Sequence, residues 1–98
     1  MEQSRVTQSV VISNPQGLHL RAADMFVKQA SEFGSQIQVT KDDVQADGKS
    51  IVDLLGLAAV QGTTLILEAT GDDAEAAMRA LVGLVENEFM EKPPSDSN

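Results

Sequence analysis

Two hydrophobic periods alternate along this chain, and the order in which they alternate leaves few folds open. Val6, Val10 and Ile12 alternate with Thr7, Ser9, Val11 and Ser13, while Gln8 breaks the apolar row, so residues 5–13 read as a strand with one buried face. Asn14-Pro15-Gln16-Gly17 ends that pattern as a turn. Pro15 presets φ at the second position, Asn14 can bond its own backbone, and Gly17 permits a close or left-handed approach. From Leu20 onward apolar residues recur at Ala22, Met25, Phe26, Ala30 and Phe33, the spacing of one helix face, with Gly34 as the expected stop. Alternation then returns. Ile37 and Val39 alternate with Gln36, Gln38 and Thr40 in a second strand, Lys41-Asp42-Asp43 turns the chain into a short third one, Val44-Gln45-Ala46, and Asp47-Gly48 ends the hairpin.

Ser50-Ile51-Val52-Asp53 has the serine-x-x-acid spacing of a capping box, followed by Leu54, Leu55, Leu57, Ala58 and Ala59. Ile51, Leu54 and Ala58 can face a core, whereas Val52 and Leu55 fall on another side, which is more apolar surface than one buried stripe needs. Either this helix is buried all round, or its second side is an exposed docking patch beside the preceding turn; the second is the expectation. Gln61-Gly62 turns the chain again, and Leu65, Leu67 and Ala69 alternate with Thr64, Ile66 and Glu68 in a fourth strand expected to be central. Gly71-Asp72-Asp73 is expected to cap a final helix, with Glu75 three residues after Asp72 and an inner face of Ala74, Ala77, Met78, Leu81, Leu84, Val85 and Phe89. Gly83 within it costs about 1 kcal/mol relative to alanine and is expected to mark close packing.

The order βαββαβα implies an α+β domain with helices on one face of an antiparallel sheet. Residues 1–91 are expected to form it, and 92–98, which carry no apolar residue, to be a disordered tail. A chain of 98 residues buries roughly 60 to 65% of its unfolded surface without staples. The absence of cysteine and the single histidine leave no disulfide and no transition-metal cluster to propose, and no cofactor is implied. No apolar run reaches a membrane span and the first residues lack the core of a signal peptide, so a cytoplasmic monomer is the expectation. Fifteen acidic residues against seven basic ones give a net charge of −8, which argues against nucleic acid and anionic membranes as partners. The same charge serves solubility, with or without a meaning in recognition.

His19 is placed where the turn ends and the first helix begins. A helix start offers unpaired amides and the positive end of the macrodipole, so it favours an anion and disfavours a second positive charge on an imidazole. An unperturbed imidazole, with a pKa of about 6.5, is largely neutral at neutral pH and nucleophilic at either ring nitrogen. Arg21 could then make charge-assisted bonds to phosphate oxygens. Two readings of His19 stand on these residues: a phosphoryl acceptor, or a helix-capping or surface histidine without chemistry.

Gly17-Leu18-His19-Leu20-Arg21-Ala22-Ala23 resembles the Gly-Leu-His-Ala-Arg-Pro-Ala signature of the HPr family, the histidine-containing phosphocarriers of the bacterial phosphotransferase system. Gly48-Lys49-Ser50-Ile51-Val52 looks like the second signature of that family, around its regulatory serine, and the order of elements matches from about Val6 to Phe89. The resemblance implies an open-faced β-sandwich with strand order 1-4-2-3. It also implies a carrier, not an enzyme: Enzyme I, charged from phosphoenolpyruvate, passes a phosphoryl group to Nδ1 of His19, which hands it to IIA-type acceptors in sugar uptake or its regulation. In that scheme Arg21 contacts the phosphate and Gly17 lets the loop approach, with local basic charge from Arg21, Lys28 and Lys49. Leu20, Lys28, Lys49, Ile51, Val52 and Leu55 form the partner surface.

Ser50 resembles the serine phosphorylated by an HPr kinase/phosphorylase, although a helix cap also accounts for it fully. A regulatory binding protein controlled through Ser50 is therefore the alternative reading. Three departures from the family pattern stand out: Leu20 for alanine, Ala22 for proline, and Asp53 at a position that is usually small and uncharged, where it would repel a phosphate on Ser50. A small-molecule-binding module is a third possibility, with no pocket signature in its favour.

Overall fold

The computed structural model describes residues 4–90. Strands β1 (Arg5–Val11), β2 (Gln36–Lys41), β3 (Val44–Asp47) and β4 (Thr64–Thr70) form one antiparallel sheet in the order β1-β4-β2-β3. Helices α1 (Leu20–Ala30), α2 (Ile51–Gly56) and α3 (Ala74–Glu86) complete the expected order βαββαβα. β4 is central, as its alternation implied.

Register explains why the sheet has one buried face. Val6 and Ile37 flank Ala69, Gln8 and Val39 flank Leu67, and Val10 sits opposite Leu65, so the alternate residues of each strand fall in common rows. Leu65, Leu67, Ala69, Ile37, Val39 and Ala46 are buried under the helices, with Phe26 of α1, Leu54 of α2, and Met78, Leu81 and Val85 of α3. The rows between them, such as Thr7–Glu68–Gln38–Asp47, are polar apart from Val11 and Ile66 and form the open face. A one-residue slip would exchange the two sets, which pins the pairing.

Several expectations about local detail are corrected, the first two because a residue distant in sequence, Asp73, intervenes. α1 ends at Ala30, ahead of Gly34, and the chain leaves it through tighter bonds from Glu32 to the Gln29 carbonyl (3.2 Å) and from Phe33 to that of Ala30 (3.1 Å). The amides of Gly34 and Ser35, which would otherwise look for helical acceptors, donate to the Asp73 carboxylate at 2.9 and 3.0 Å, and the Ser35 hydroxyl donates to it as well. The expected Asp72–Glu75 cap is correspondingly absent. Asp73 is itself the N-cap residue of α3 but makes no side-chain cap bond, because its carboxylate is turned to the α1–β2 loop. Glu75 still lies in the first turn, where a negative charge suits the dipole.

Ala58, expected in the core, is exposed at φ +51°, because α2 closes at Gly56 and Leu57 (3% exposed) takes the buried place. Gly83 is not a close contact: a Cβ there would meet no atom within 4 Å, and nothing in the structure explains the glycine. Val82 joins the buried face of α3, while Leu84 is only half-buried. The tail expected over 92–98 lies outside the described residues.

Candidate functional site

The turn before α1 is clamped from both sides. Gly17 donates its amide to the Asn14 carbonyl at 3.0 Å, and the buried Asn14 side chain returns a bond from Nδ2 to the Gly17 carbonyl at 2.8 Å. Asn14 Oδ1 is buried without a hydrogen-bond partner among the described residues. Gly17 sits at φ +69°, and a Cβ on it would lie 2.6 Å from the Ala59 carbonyl oxygen, inside van der Waals contact. Its freedom from a side chain lets the turn lie directly on the Ala59–Val60 segment. Leu18 completes the seat: its side chain is buried and its amide donates to Ala59.

His19 is the N-cap residue of α1, in an extended conformation (φ −84°, ψ −178°), and its ring makes no capping bond. The first rung of the helix runs from the Ala23 amide to the His19 carbonyl at 2.8 Å, leaving the amides of Leu20, Arg21 and Ala22 outside the ladder. The imidazole is half-buried at the point where those amides begin. His19 thus holds the N-cap position by its backbone alone, and its ring makes no cap bond.

A cleft opens beside the ring. One wall is the turn itself, from Asn14 to Gln16, with His19, Arg21 and Ala22; the other is the chain that follows α3, Glu88, Phe89 and Met90. Of the three cations expected to supply local charge, only Arg21 lines this cleft. Lys28 lies in the last turn of α1, about 13 Å along the axis from His19, and pairs with Asp24 at 3.1 Å. Lys49 reaches the Phe33 carbonyl at 2.8 Å, beyond the far end of the same helix.

The apolar surface expected on α2 is exposed. Val52 is 79% and Leu55 37% accessible, with Leu20 of α1 at 64%, while Ile51 is partly buried against the core. α2 is therefore not buried all round. Ser50 is its N-cap, with Oγ accepting the Asp53 amide at 3.2 Å. Only half of the capping box forms, because the Asp53 carboxylate accepts the Asp47 amide at 3.1 Å, and the Ser50 amide goes to the Asp47 carbonyl.

Two features had no signal in the sequence. Lys41 of β2 extends its ammonium to the Leu57 and Ala58 carbonyls (3.0 and 3.5 Å), neutralising the C-terminal end of α2 from another element. The Glu88–Met90 wall is the other: it meets the His19 turn only through the tertiary fold. Among the described residues no cluster of three or more His, Cys, Asp or Glu side chains is placed to hold a metal, and no helix is long and apolar enough to cross a membrane.

Comparison with known proteins agrees with this architecture. Residues 6–87 match the family model for the PTS HPr component phosphorylation site. The phosphocarrier protein HPr of Neisseria meningitidis serogroup A is 48% identical over 84 residues, covering 86% of this chain and 94% of that one. The HPr-like protein Crh of Halalkalibacterium halodurans is 37% identical over 83 residues, covering 85% and 99%. Among solved structures, HPr-C-His from Thermoanaerobacter tengcongensis superposes with a TM-score of 0.84 at 44% identity, covering 89% of this chain and 98% of that one. With its family model, its strand order and these relatives in agreement, the chain belongs to the HPr family, the phosphocarrier proteins of the phosphotransferase system, which carry phosphoryl groups and are not catalysts.

Proposed function

We propose that His19 accepts a phosphoryl group from Enzyme I charged by phosphoenolpyruvate and passes it to IIA-type acceptors. One observation carries this reading: the single imidazole stands at a helix start without serving as its cap, in a cleft that Arg21 also lines. A ring nitrogen attacks phosphorus as the bond to the donor atom breaks, and the donor keeps that electron pair. The proton on the other ring nitrogen stays there during the transfer. Amides outside the helical ladder and the Arg21 guanidinium face the charge that gathers on the phosphoryl oxygens, while the docked turn holds the ring in place before the partner arrives. Leu20, Val52 and Leu55 supply apolar surface for the partner to cover, and Ile51 supports it from below.

The test is direct. Incubation with phosphoenolpyruvate and a cognate Enzyme I adds an acid-labile phosphate, read by intact mass, and His19→Ala abolishes it. Uptake by His19→Ala to the wild-type extent overturns the assignment.

A further inference from the structure

The segment between α2 and Val60 is held in a shape that its own residues disfavour. α2 has six residues and closes at Gly56, the amides of Leu57 and Ala58 fold back to the Leu54 and Leu55 carbonyls (both 3.1 Å), and Ala58 then turns left-handed at φ +51°. Alanine avoids that region, so the reversal persists only where its surroundings over-determine it. Two of its anchors are apolar: Leu57 (3% exposed) and Ala59 (4% exposed), on either side of Ala58 in the chain, bury their side chains. The third comes from the sheet. Lys41, the last residue of β2, extends its ammonium to the Leu57 carbonyl at 3.0 Å and the Ala58 carbonyl at 3.5 Å, bridging two successive groups at a helix end, where carbonyls lack intrahelical partners.

The next carbonyl along the chain is the one that seats the His19 turn. Ala59 accepts the Leu18 amide at 2.8 Å, and its oxygen lies against the position that Gly17 keeps free of a side chain. Three consecutive carbonyls thus connect the Lys41 ammonium to the residue before His19. We propose that Lys41 is a positioning residue for phosphoryl transfer, holding through Leu57, Ala58 and Ala59 the turn that presents the His19 ring, a role that rests on the reading of His19 as acceptor. Lys41 does not line the cleft beside His19, so its effect reaches the ring through the backbone. Without the ammonium, Ala58 is freer to leave its left-handed conformation, the chain carrying the Ala59 carbonyl shifts with it, and the Leu18 amide loses a fixed acceptor. Transfer is sensitive to such a shift because a ring nitrogen reacts only from a near-attack geometry.

The experiment compares the full chain with Lys41→Met, which keeps a long apolar stem and removes the charge, and Lys41→Arg, which restores a cation. Amide hydrogen exchange is followed at Leu18 and, as the reference for global opening, at Leu67 of the central strand. Rapid-quench transfer from phosphorylated Enzyme I gives the saturating rate and the half-saturating carrier concentration. Lys41→Met should speed exchange at Leu18 about tenfold relative to Leu67. It should also lower the saturating rate about fivefold and leave the half-saturating concentration unchanged, since the apolar docking residues are untouched. Lys41→Arg should recover most of both losses. Exchange that rises by the same factor at Leu18 and Leu67 overturns the proposal, because it reports stability and not positioning. So does an unchanged saturating rate, with or without a rise in the half-saturating concentration, which would make Lys41 a partner contact. Lys41→Arg no better than Lys41→Met overturns the role of the cation. A wild type that takes up no phosphate overturns the acceptor assignment itself, and the proposal with it.

Discussion

Leu18 donates its amide to the Ala59 carbonyl at 2.8 Å, and that same oxygen is the atom a side chain at Gly17 would strike. The contact fastens the His19 turn to the segment that follows α2, and so ties the candidate phosphoryl site to the end of the exposed apolar helix. Gly17→Ala should therefore do more harm than its backbone strain alone. Gly62 provides the comparison, since it also has positive φ (+91°) but open space around it. We expect Gly62→Ala to cost about 1 kcal/mol and Gly17→Ala about 3 kcal/mol in urea unfolding, with phosphoryl uptake from Enzyme I slowed only by the second. Equal costs would show that the Ala59 contact yields without strain.

Asp73 links stability to pH. Its carboxyl is held below the ordinary carboxylate range, first by the Ser35 hydroxyl and next by the Gly34 amide. A folded-state pKa lower than the unfolded one means that the unfolded chain binds the proton more readily. The stabilisation is therefore complete above the ordinary carboxylate pKa and fades as pH falls through the folded value. The urea midpoint of Asp73→Asn should lie below that of the wild type at pH 7, and the gap should close on titration to about pH 2. A gap that stays constant across that range would assign the effect to geometry alone.

Neighbouring positions on α2 should separate folding from docking. Leu54 is 1% exposed, so Leu54→Ala should cost about 2 to 5 kcal/mol of stability. Val52 is 79% exposed, and Val52→Ala should stay within about 0.5 kcal/mol of the wild type. If the exposed face receives the partner, the same Val52→Ala change raises the KM of Enzyme I for this carrier about fivefold, a loss of about 1 kcal/mol. An unchanged KM with both Val52→Ala and Leu55→Ala would place the docking surface elsewhere.

Ser50 is a cap first. Losing its hydroxyl should cost about 1 kcal/mol, measurable by thermal or urea unfolding. As a phosphate acceptor it faces Asp53 in the same first turn, whose carboxylate is engaged with the Asp47 amide. With ATP and an HPr kinase, Asp53→Asn should gain more acid-stable phosphate than the wild type, and Ser50→Ala should gain none. Equal incorporation in the first two proteins would mean that the Asp53 charge does not bear on Ser50.

The order of strands and helices, the single buried face of the sheet, the central place of β4 and the pairing of Gly17 with His19 could all be read along the chain. Alternation and helical spacing are local properties, and a strand or helix face is legible wherever its own residues declare it. Where α1 stops could not be read in this way, because Asp73 takes the Gly34 amide across 39 residues. Nor could the destinations of Lys41 and Lys49, which reach carbonyls 16 residues away, one of Leu57 in a later element and one of Phe33 in an earlier loop. Even the α2 surface was ambiguous, since apolar residues on two sides fit a buried helix as well as an exposed patch, and only the packing of α1 and the sheet chose between them. The Glu88–Met90 stretch that lines the His19 cleft belongs to the same class. A cleft is made by segments that meet, and the folded chain brings those segments together by burying Phe89, an event that no local pattern around His19 records.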